Sequence, residues 1–125
     1  MQKTISTGKA PAAIGPYAQA VAIDSIIITS GQLPIDPDTG AFPEGIAAQT
    51  RQSLTNVKAI LAEAGLGMDR VIKTTVFLSD MNNFAAMNEV YATFFEAGGY
   101  PARSAVEVAR LPKDALVEIE VIARV

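Results

Sequence analysis

Apolar residues recur every three or four positions in two stretches of the chain, which is the spacing of one face of an α-helix. The first stretch predicts a helix over residues 46–64, with Pro43 and Glu44 suited to its start and Gly65 to its end. The second predicts a helix that is capped by Asp80 and ends before Gly98. The apolar positions are Ile46, Leu54, Val57, Ile60, Leu61 and Ala64 in the first helix, joined by the methyl group of Thr50, and Phe84, Met87, Tyr91, Phe94 and Phe95 in the second. Both helices are therefore amphipathic, and each should pack on another element.

Six stretches rich in β-branched residues predict strands at residues 3–6, 19–23, 26–30, 71–78, 103–108 and 116–125. The pair Asp24 and Ser25 suits a hairpin turn, and residues 31–45 predict a long loop of a length that is often functional. The order β-β-β-α-β-α-β-β indicates an α/β fold of the α+β kind, built on one mixed sheet. Right-handed crossovers would place both helices on one face and leave the other uncovered.

Alternation along the last two strands predicts what each face carries. In the final strand, the predicted helix-facing residues are Val117, Ile119, Val121, Ala123 and Val125, and those on the uncovered face are Glu118, Glu120, Ile122 and Arg124. In the strand before it, Ser104, Val106 and Val108 are predicted to face the helices, and Arg103, Ala105 and Glu107 the uncovered side. A face that is both ionic and apolar predicts an oligomer with sites at its interfaces.

The composition of the chain excludes several kinds of catalytic and binding site. The chain has 125 residues, which predicts one domain over residues 1–125, and its formal charge of -3 disfavours nucleic acid as a partner. It has no Cys and no His, which excludes disulfides, Cys/His zinc sites and a Ser-His-Asp triad. No apolar run approaches a membrane span and no signal peptide is recognised at the start, so the expected location is the cytoplasm.

The strongest candidate constellation is Arg103 with Glu118 and Glu120. One interpretation is an ion-pair network on an exposed sheet face. The other is an anion site, in which the guanidinium binds a carboxylate in a fixed plane and a nearby glutamate holds a water or shuttles protons. The residues alone leave both interpretations open.

Weaker candidates lie in loops and on the second helix. Tyr17 follows the rigid pair Gly15-Pro16, and it could equally be an ordinary half-buried aromatic residue. Gly31, after Ser30, permits close approach of a ligand to the backbone, although most such pairs are only turns. Asn88 could be a solvated polar position. Neither a phosphate-binding loop nor a lysine suited to a Schiff base is recognised.

Several segments resemble the Rid family, formerly called YjgF, of reactive intermediate or imine deaminases. The resemblance is carried by PARSAVEVARLP at residues 101–112 and VEI at 117–119, and by AIGPY at 13–17, TSGQ at 29–32, QTRQSL at 49–54 and KTTVFL at 73–78. It covers essentially the whole chain, and the arginine and glutamate match the catalytically active, RidA-type branch.

The resemblance implies a chorismate-mutase-like fold and a homotrimer whose sheets form a central barrel, with three clefts between subunits. The implied reaction is hydrolysis of 2-aminoacrylate, its tautomer 2-iminopropanoate, or 2-iminobutanoate to a 2-ketoacid and ammonia. These intermediates come from pyridoxal-phosphate dehydratases acting on serine and threonine. No metal and no cofactor is implied.

Carried over by position, the resemblance implies that Arg103 clamps the substrate carboxylate and Glu118 positions the attacking water. The other implied cleft residues are Tyr17, Ser30, Gly31 and Asn88, with Gly31 acting through its backbone. Many relatives have Cys where this chain has Ala105, a position implied to act through its main chain.

Two alternative functions differ in class. One is a binding or holdase-like protein that uses the same carboxylate pocket without turnover. The other is a ribonuclease activity ascribed to some relatives, against which the acidic balance and the lack of His argue.

Overall fold

A computed structural model describes all residues, 1–125, and contains one six-stranded sheet with two helices. The strands are β1 (Lys3–Ile5), β2 (Ala20–Ile23), β3 (Ile26–Thr29), β4 (Val71–Leu78), β5 (Ala102–Glu107) and β6 (Val117–Arg124), and the helices are α1 (Ile46–Glu63) and α2 (Phe84–Ala92). The strand order in the sheet is β1-β2-β3-β6-β4-β5. Only β4 and β5 run parallel, joined through α2, and the other neighbours are antiparallel. The predicted mixed α+β fold is thus confirmed.

Helix α1 confirms the first predicted helix. Its buried side includes Leu54, Val57 and Ile60, all fully inaccessible to solvent. Burial of one such side chain stabilises the fold by about 1.5–3 kcal/mol. The helix ends before Gly65, whose φ of 77° lies in the left-handed region that glycine adopts without steric cost. No helix of the structure combines the length and the apolarity needed to cross a membrane.

Helix α2 is shorter than the sequence predicts. It ends at Ala92, and the amides of Phe94 and Phe95 bond three residues back instead of four, to Tyr91 and Ala92. These bonds tighten the chain after the helix, and Phe95 turns its ring onto Tyr91 with centroids 4.9 Å apart. At the other end, Asp80 accepts from the amide of Asn82 and so caps a 3-10 turn ahead of the helix.

The long loop after β3 is fixed against both α1 and β6. The buried amide of Asn56 donates to the carbonyls of Leu33 at 3.1 Å and Ile35 at 2.9 Å. Gln32 exchanges backbone hydrogen bonds with Ile119 at 2.8 and 3.2 Å. The start of this loop is therefore held directly beside β6.

The two faces of β6 are those that alternation predicts. Val117, Ile119, Val121 and Ala123 are buried under the helices, and Glu118 and Glu120 lie on the opposite, open face. Val125, predicted to face the helices, is instead exposed beyond the end of the strand.

The predicted faces of β5 are wrong. Its register with β4 pairs Thr74 with Arg103 and Val76 with Ala105, and the two β4 residues are fully buried on the helix side. Neighbouring residues in register share a face, so Arg103 and Ala105 face α2, as does Glu107, whose carboxylate accepts from the amide of Met81. Ser104 and Val106 lie on the open face instead. The apolar Val106 suggested burial, but it is 42% exposed.

Within one chain, no element covers the open face of the sheet. Ile28, Ile72 and Val106 each expose more than two-fifths of their surface. The lysine of β4, Lys73, donates to the hydroxyl of Ser104 at 2.8 Å on the same side. This mixed apolar and polar face has the character of a surface that meets another protein.

Candidate active site

Arg103 is held on β5 by three side chains of α2. Its guanidinium carbon lies 4.7 Å from the ring centre of Tyr91 and 5.4 Å from that of Phe84. Its Nη1 donates to Oδ1 of Asn88 at 2.6 Å. A cation over aromatic faces is attracted by their negative π surface, and the amide fixes the plane of the guanidinium. The result is an oriented guanidinium with further N–H groups available to a carboxylate.

A buried hydrogen bond fixes Tyr91 under the arginine. Its hydroxyl lies 2.8 Å from Oγ1 of Thr74, a residue of β4 with no solvent exposure. Burial raises the pKa of Tyr91, outweighing the lowering effects of the Thr74 hydrogen bond and the Arg103 charge. The ring therefore stays neutral and in place beneath the guanidinium.

Ala105 presents its backbone at the free edge of the sheet. The amide of Val108 donates to Leu78 of β4 at 2.9 Å. Because backbone groups point to alternate sides along a strand, the N–H and C=O of Ala105 point away from β4. Since β5 is the last strand of the sheet, these groups are free for a ligand or a second chain.

Glu118 lies on the open face against the backbone of Gly31. A Cβ placed on Gly31 would come within 2.8 Å of Cδ and 3.0 Å of Oε2 of Glu118. Only glycine allows the carboxyl group this position. The peptide groups of Gly31 make no backbone hydrogen bond within the chain, so they too are free beside the carboxylate.

The pKa of Glu118 is raised above its ordinary value. Burial raises its pKa, and the negative charge of Glu120 raises it further. A glutamate with a raised pKa is a better proton acceptor once ionised, and such shifts are common at catalytic positions.

Tyr17 and Ser30 line the same cavity as Glu118 and Gly31, a space of about 410 Å³. The amide of Tyr17 bonds to the carbonyl of Gly15 at 2.8 Å, a tight turn that presents the half-exposed ring to the cavity. The hydroxyl of Ser30 donates to the carbonyl of Ala18 at 2.6 Å. Ser30 therefore fixes the segment that carries Tyr17 and keeps only acceptor capacity for a ligand.

The predicted site residues form two separate groups in one chain. Arg103, Asn88 and Ala105 belong to the helix side and the edge of β5. Glu118, Gly31, Ser30 and Tyr17 belong to the open face, where Glu118 pairs in register with Phe77. The sheet lies between Arg103 and Glu118, so a single chain does not bring them together.

Sequence reasoning missed the residues that support Arg103. The apolar spacing places Phe84 and Tyr91 on the packing face of the second helix, where they lie, but it does not indicate that both also contact Arg103, and it does not single out Thr74. The spacing of Phe84, Asn88 and Tyr91, four and then three residues apart, places them on one helix face, which is the signal that could have indicated a shared partner.

The chain resembles known proteins along nearly its whole length. The family model described as Endoribonuclease L-PSP matches residues 7–125. The 2-iminobutanoate/2-iminopropanoate deaminase of Salmonella typhimurium is 58% identical, over 98% of each chain. A crystal structure of E. coli TdcF with bound serine has a TM-score of 0.94 at 53% identity, and the E. coli YjgF gene product has a TM-score of 0.94 at 57% identity, each covering 98% of both chains. The chain therefore belongs to the YjgF/Rid family, whose family model carries the L-PSP description.

Proposed function

We propose that the protein is a 2-iminobutanoate/2-iminopropanoate deaminase that hydrolyses 2-imino acids to 2-ketoacids and ammonia. The observation that carries the proposal is the guanidinium of Arg103, fixed over Tyr91 and Phe84 with N–H groups left for a carboxylate. The bacterial relatives at 58% identity bear this activity in their names. The bound serine of E. coli TdcF, a small amino acid with a carboxylate, is consistent with such a ligand.

The complete site is proposed to form between two copies of the chain in a homotrimer. Arg103 lies on an edge strand and Glu118 on the opposite face, so a second copy must supply the missing group. The exposed Ile28, Ile72 and Val106 give the open face the apolar area that an interface needs. The same covering would withdraw Glu118 further from water.

The chemistry follows from the position of each group. Arg103 binds the substrate carboxylate, while the free backbone groups of Ala105 and Gly31 orient the substrate. Ionised Glu118 accepts a proton from a water whose oxygen attacks the imine carbon. The nitrogen takes up that proton, which gives a neutral carbinolamine. Glu118 then transfers the hydroxyl proton to the nitrogen, so that the C–N bond breaks, ammonia leaves and the C=O bond forms. The imine is already electrophilic, so the step requires no cofactor.

This substrate class sets the cellular role. Imino acids of this kind are released by pyridoxal-phosphate dehydratases acting on serine and threonine, and we place the protein beside such enzymes in the cytoplasm. Hydrolysis by this protein would remove the reactive imine before it can damage other proteins.

A trapping experiment tests the proposal. A serine or threonine dehydratase generates 2-iminopropanoate or 2-iminobutanoate, and semicarbazide traps the imine that survives. Wild-type protein should lower the trapped yield, whereas Arg103→Ala should not. Equal yields with wild type, variant and no protein would contradict deamination and favour a carboxylate-binding protein without turnover.

No observation favours ribonuclease activity, although the family model's description includes it. The chain has no His, a common acid and base in RNA cleavage, and its formal charge of -3 disfavours binding of a polyanion.

A further inference from the structure

The loop between β5 and β6 contains two consecutive residues in the left-handed backbone region. Lys113 has φ 56° and ψ 23°, and Asp114 has φ 58°, although neither is glycine. Side chains with a Cβ rarely adopt this conformation, because the Cβ approaches the backbone carbonyl. Such strain persists only where the surrounding structure imposes it.

Contacts on both sides of the loop impose the conformation. Arg110 donates to both carboxylate oxygens of Asp114, at 2.7 and 3.3 Å. Leu111 and Ala115 are buried at either end. The amide of Leu116 donates to the side chain of Gln49 on α1 at 2.9 Å. Pro112, Lys113 and Asp114 are therefore exposed residues of a loop that is held at both ends, and Lys113 is the one with a positive charge.

That loop places Lys113 on the wall of the Glu118 cavity. Lys113 is the only basic residue among those that line it, and the lining also includes the apolar side chains of Ile14, Leu33 and Ile35. It also lines an adjoining cavity of about 320 Å³, so it lies where the two spaces meet. Lys113 forms no salt bridge within the chain.

We propose that Lys113 is a substrate-binding residue that attracts the anionic 2-imino acid to the Glu118 cavity. The inference rests on the proposed function. The substrate carries a carboxylate, the chain has a net charge of -3, and Glu118 and Glu120 both repel an approaching anion. The positive charge of Lys113, on the lining of the same cavity, offsets this repulsion. Lys113 acts on the approach and binding of the anion, and Glu118 retains the proton transfer.

Three substitutions separate charge from backbone strain. Lys113→Met removes the charge and keeps the length of the side chain, and Lys113→Arg keeps the charge. Lys113→Gly removes the charge and also relieves the left-handed strain, so it should raise the thermal midpoint. Lys58→Met, on the exposed side of α1, is the control for loss of one positive charge elsewhere.

The measurement is kcat/KM for imine hydrolysis at low and high ionic strength. Lys113→Met and Lys113→Gly should both lower kcat/KM by about fivefold at low ionic strength with kcat little changed, and the difference should shrink as salt screens the charge. Lys113→Arg and Lys58→Met should match the wild type. Wild-type kcat/KM and salt dependence in Lys113→Met would overturn the proposal.

Pyruvate binding, measured by calorimetry, gives a readout that does not depend on turnover. Lys113→Met should weaken pyruvate binding at low ionic strength, and unchanged binding would overturn the role of Lys113. If wild-type protein binds pyruvate with this dependence on Lys113 but does not hydrolyse imines, the proposed reaction fails while the anion-binding role stands.

Discussion

The carboxyl group of Glu118 occupies the space that a side chain at position 31 would fill. A Cβ on Gly31 would lie 2.8 Å from Cδ of Glu118, closer than real Cβ atoms approach such a neighbour. Gly31 and Glu118 are held together because Gln32 pairs with Ile119, the residue after Glu118. The position of the proposed proton acceptor is therefore set by the absence of a side chain on a loop residue.

Gly31→Ala should lower kcat by tenfold or more while the fold is retained. The added methyl group displaces the Glu118 carboxyl, and misplacement of a reacting group by about 1 Å can cost roughly 100-fold in rate. The measurement is kcat alongside the thermal midpoint. Gly8→Ala is the matched control, because a Cβ there meets nothing within 4 Å. Equal kcat for both variants would show that Gly31 does not position Glu118.

Glu120→Gln should move the acidic limb of the pH-rate profile to lower pH. Burial and the negative charge of Glu120 raise the pKa of Glu118, so removal of that charge lowers it towards the ordinary glutamate value. Because the proposed proton acceptor is the ionised form of Glu118, activity should appear at lower pH in the variant. The profile of kcat/KM against pH measures this shift. An acidic limb that does not move would show that the group titrating in this limb is not Glu118.

The contributions of Tyr91 and Thr74 to the free energy of unfolding should be coupled. Tyr91→Phe keeps the ring under Arg103 but leaves the buried Thr74 hydroxyl unpaired, which should cost about 1–3 kcal/mol of stability. Thr74→Val should cost a similar amount, and the double variant less than the sum, because both polar partners are removed together.

Variants of Tyr91 also distinguish its contribution to stability from its contribution to the position of Arg103. Tyr91→Phe should leave KM close to the wild-type value, whereas Tyr91→Leu removes the aromatic platform and should raise KM. Denaturant unfolding at one fixed protein concentration and steady-state kinetics provide the two readouts. Additive stability losses in the double variant would show that the hydroxyl pair is not coupled.

Local patterns in the sequence were sufficient for the helices and for β6. The three-and-four spacing around Leu54 and Val57 reflects burial of one helix face, and alternation from Val117 to Ala123 reflects a strand covered on one side only. Such patterns need no knowledge of distant partners. The end of α2 was misplaced because Phe95 remains packed on Tyr91 after the helix has ended, which prolongs the apolar spacing.

The faces of β5 could not be predicted in this way. β5 is an edge strand beneath α2. Its helix side carries the charged Arg103 and its open side carries the exposed Val106, so polarity does not indicate which side is buried. Its orientation is fixed by register with Thr74 on β4, a contact between residues far apart in the chain. The pairing of Asn88 with Arg103 likewise depends on the crossover from α2 to β5, so the sequence offered only separate candidates.

The separation of Arg103 and Glu118 across the sheet leads to the most direct test of the account. Arg103→Ala and Glu118→Ala should each be inactive alone. Chains of the two variants, mixed by co-expression or by joint refolding, should form hybrid assemblies in which some sites combine an intact Arg103 with an intact Glu118 from different copies. Random mixing in equal amounts should restore about a quarter of wild-type activity. Hybrid assemblies that form but show no more activity than the separate variants would contradict a site shared between subunits.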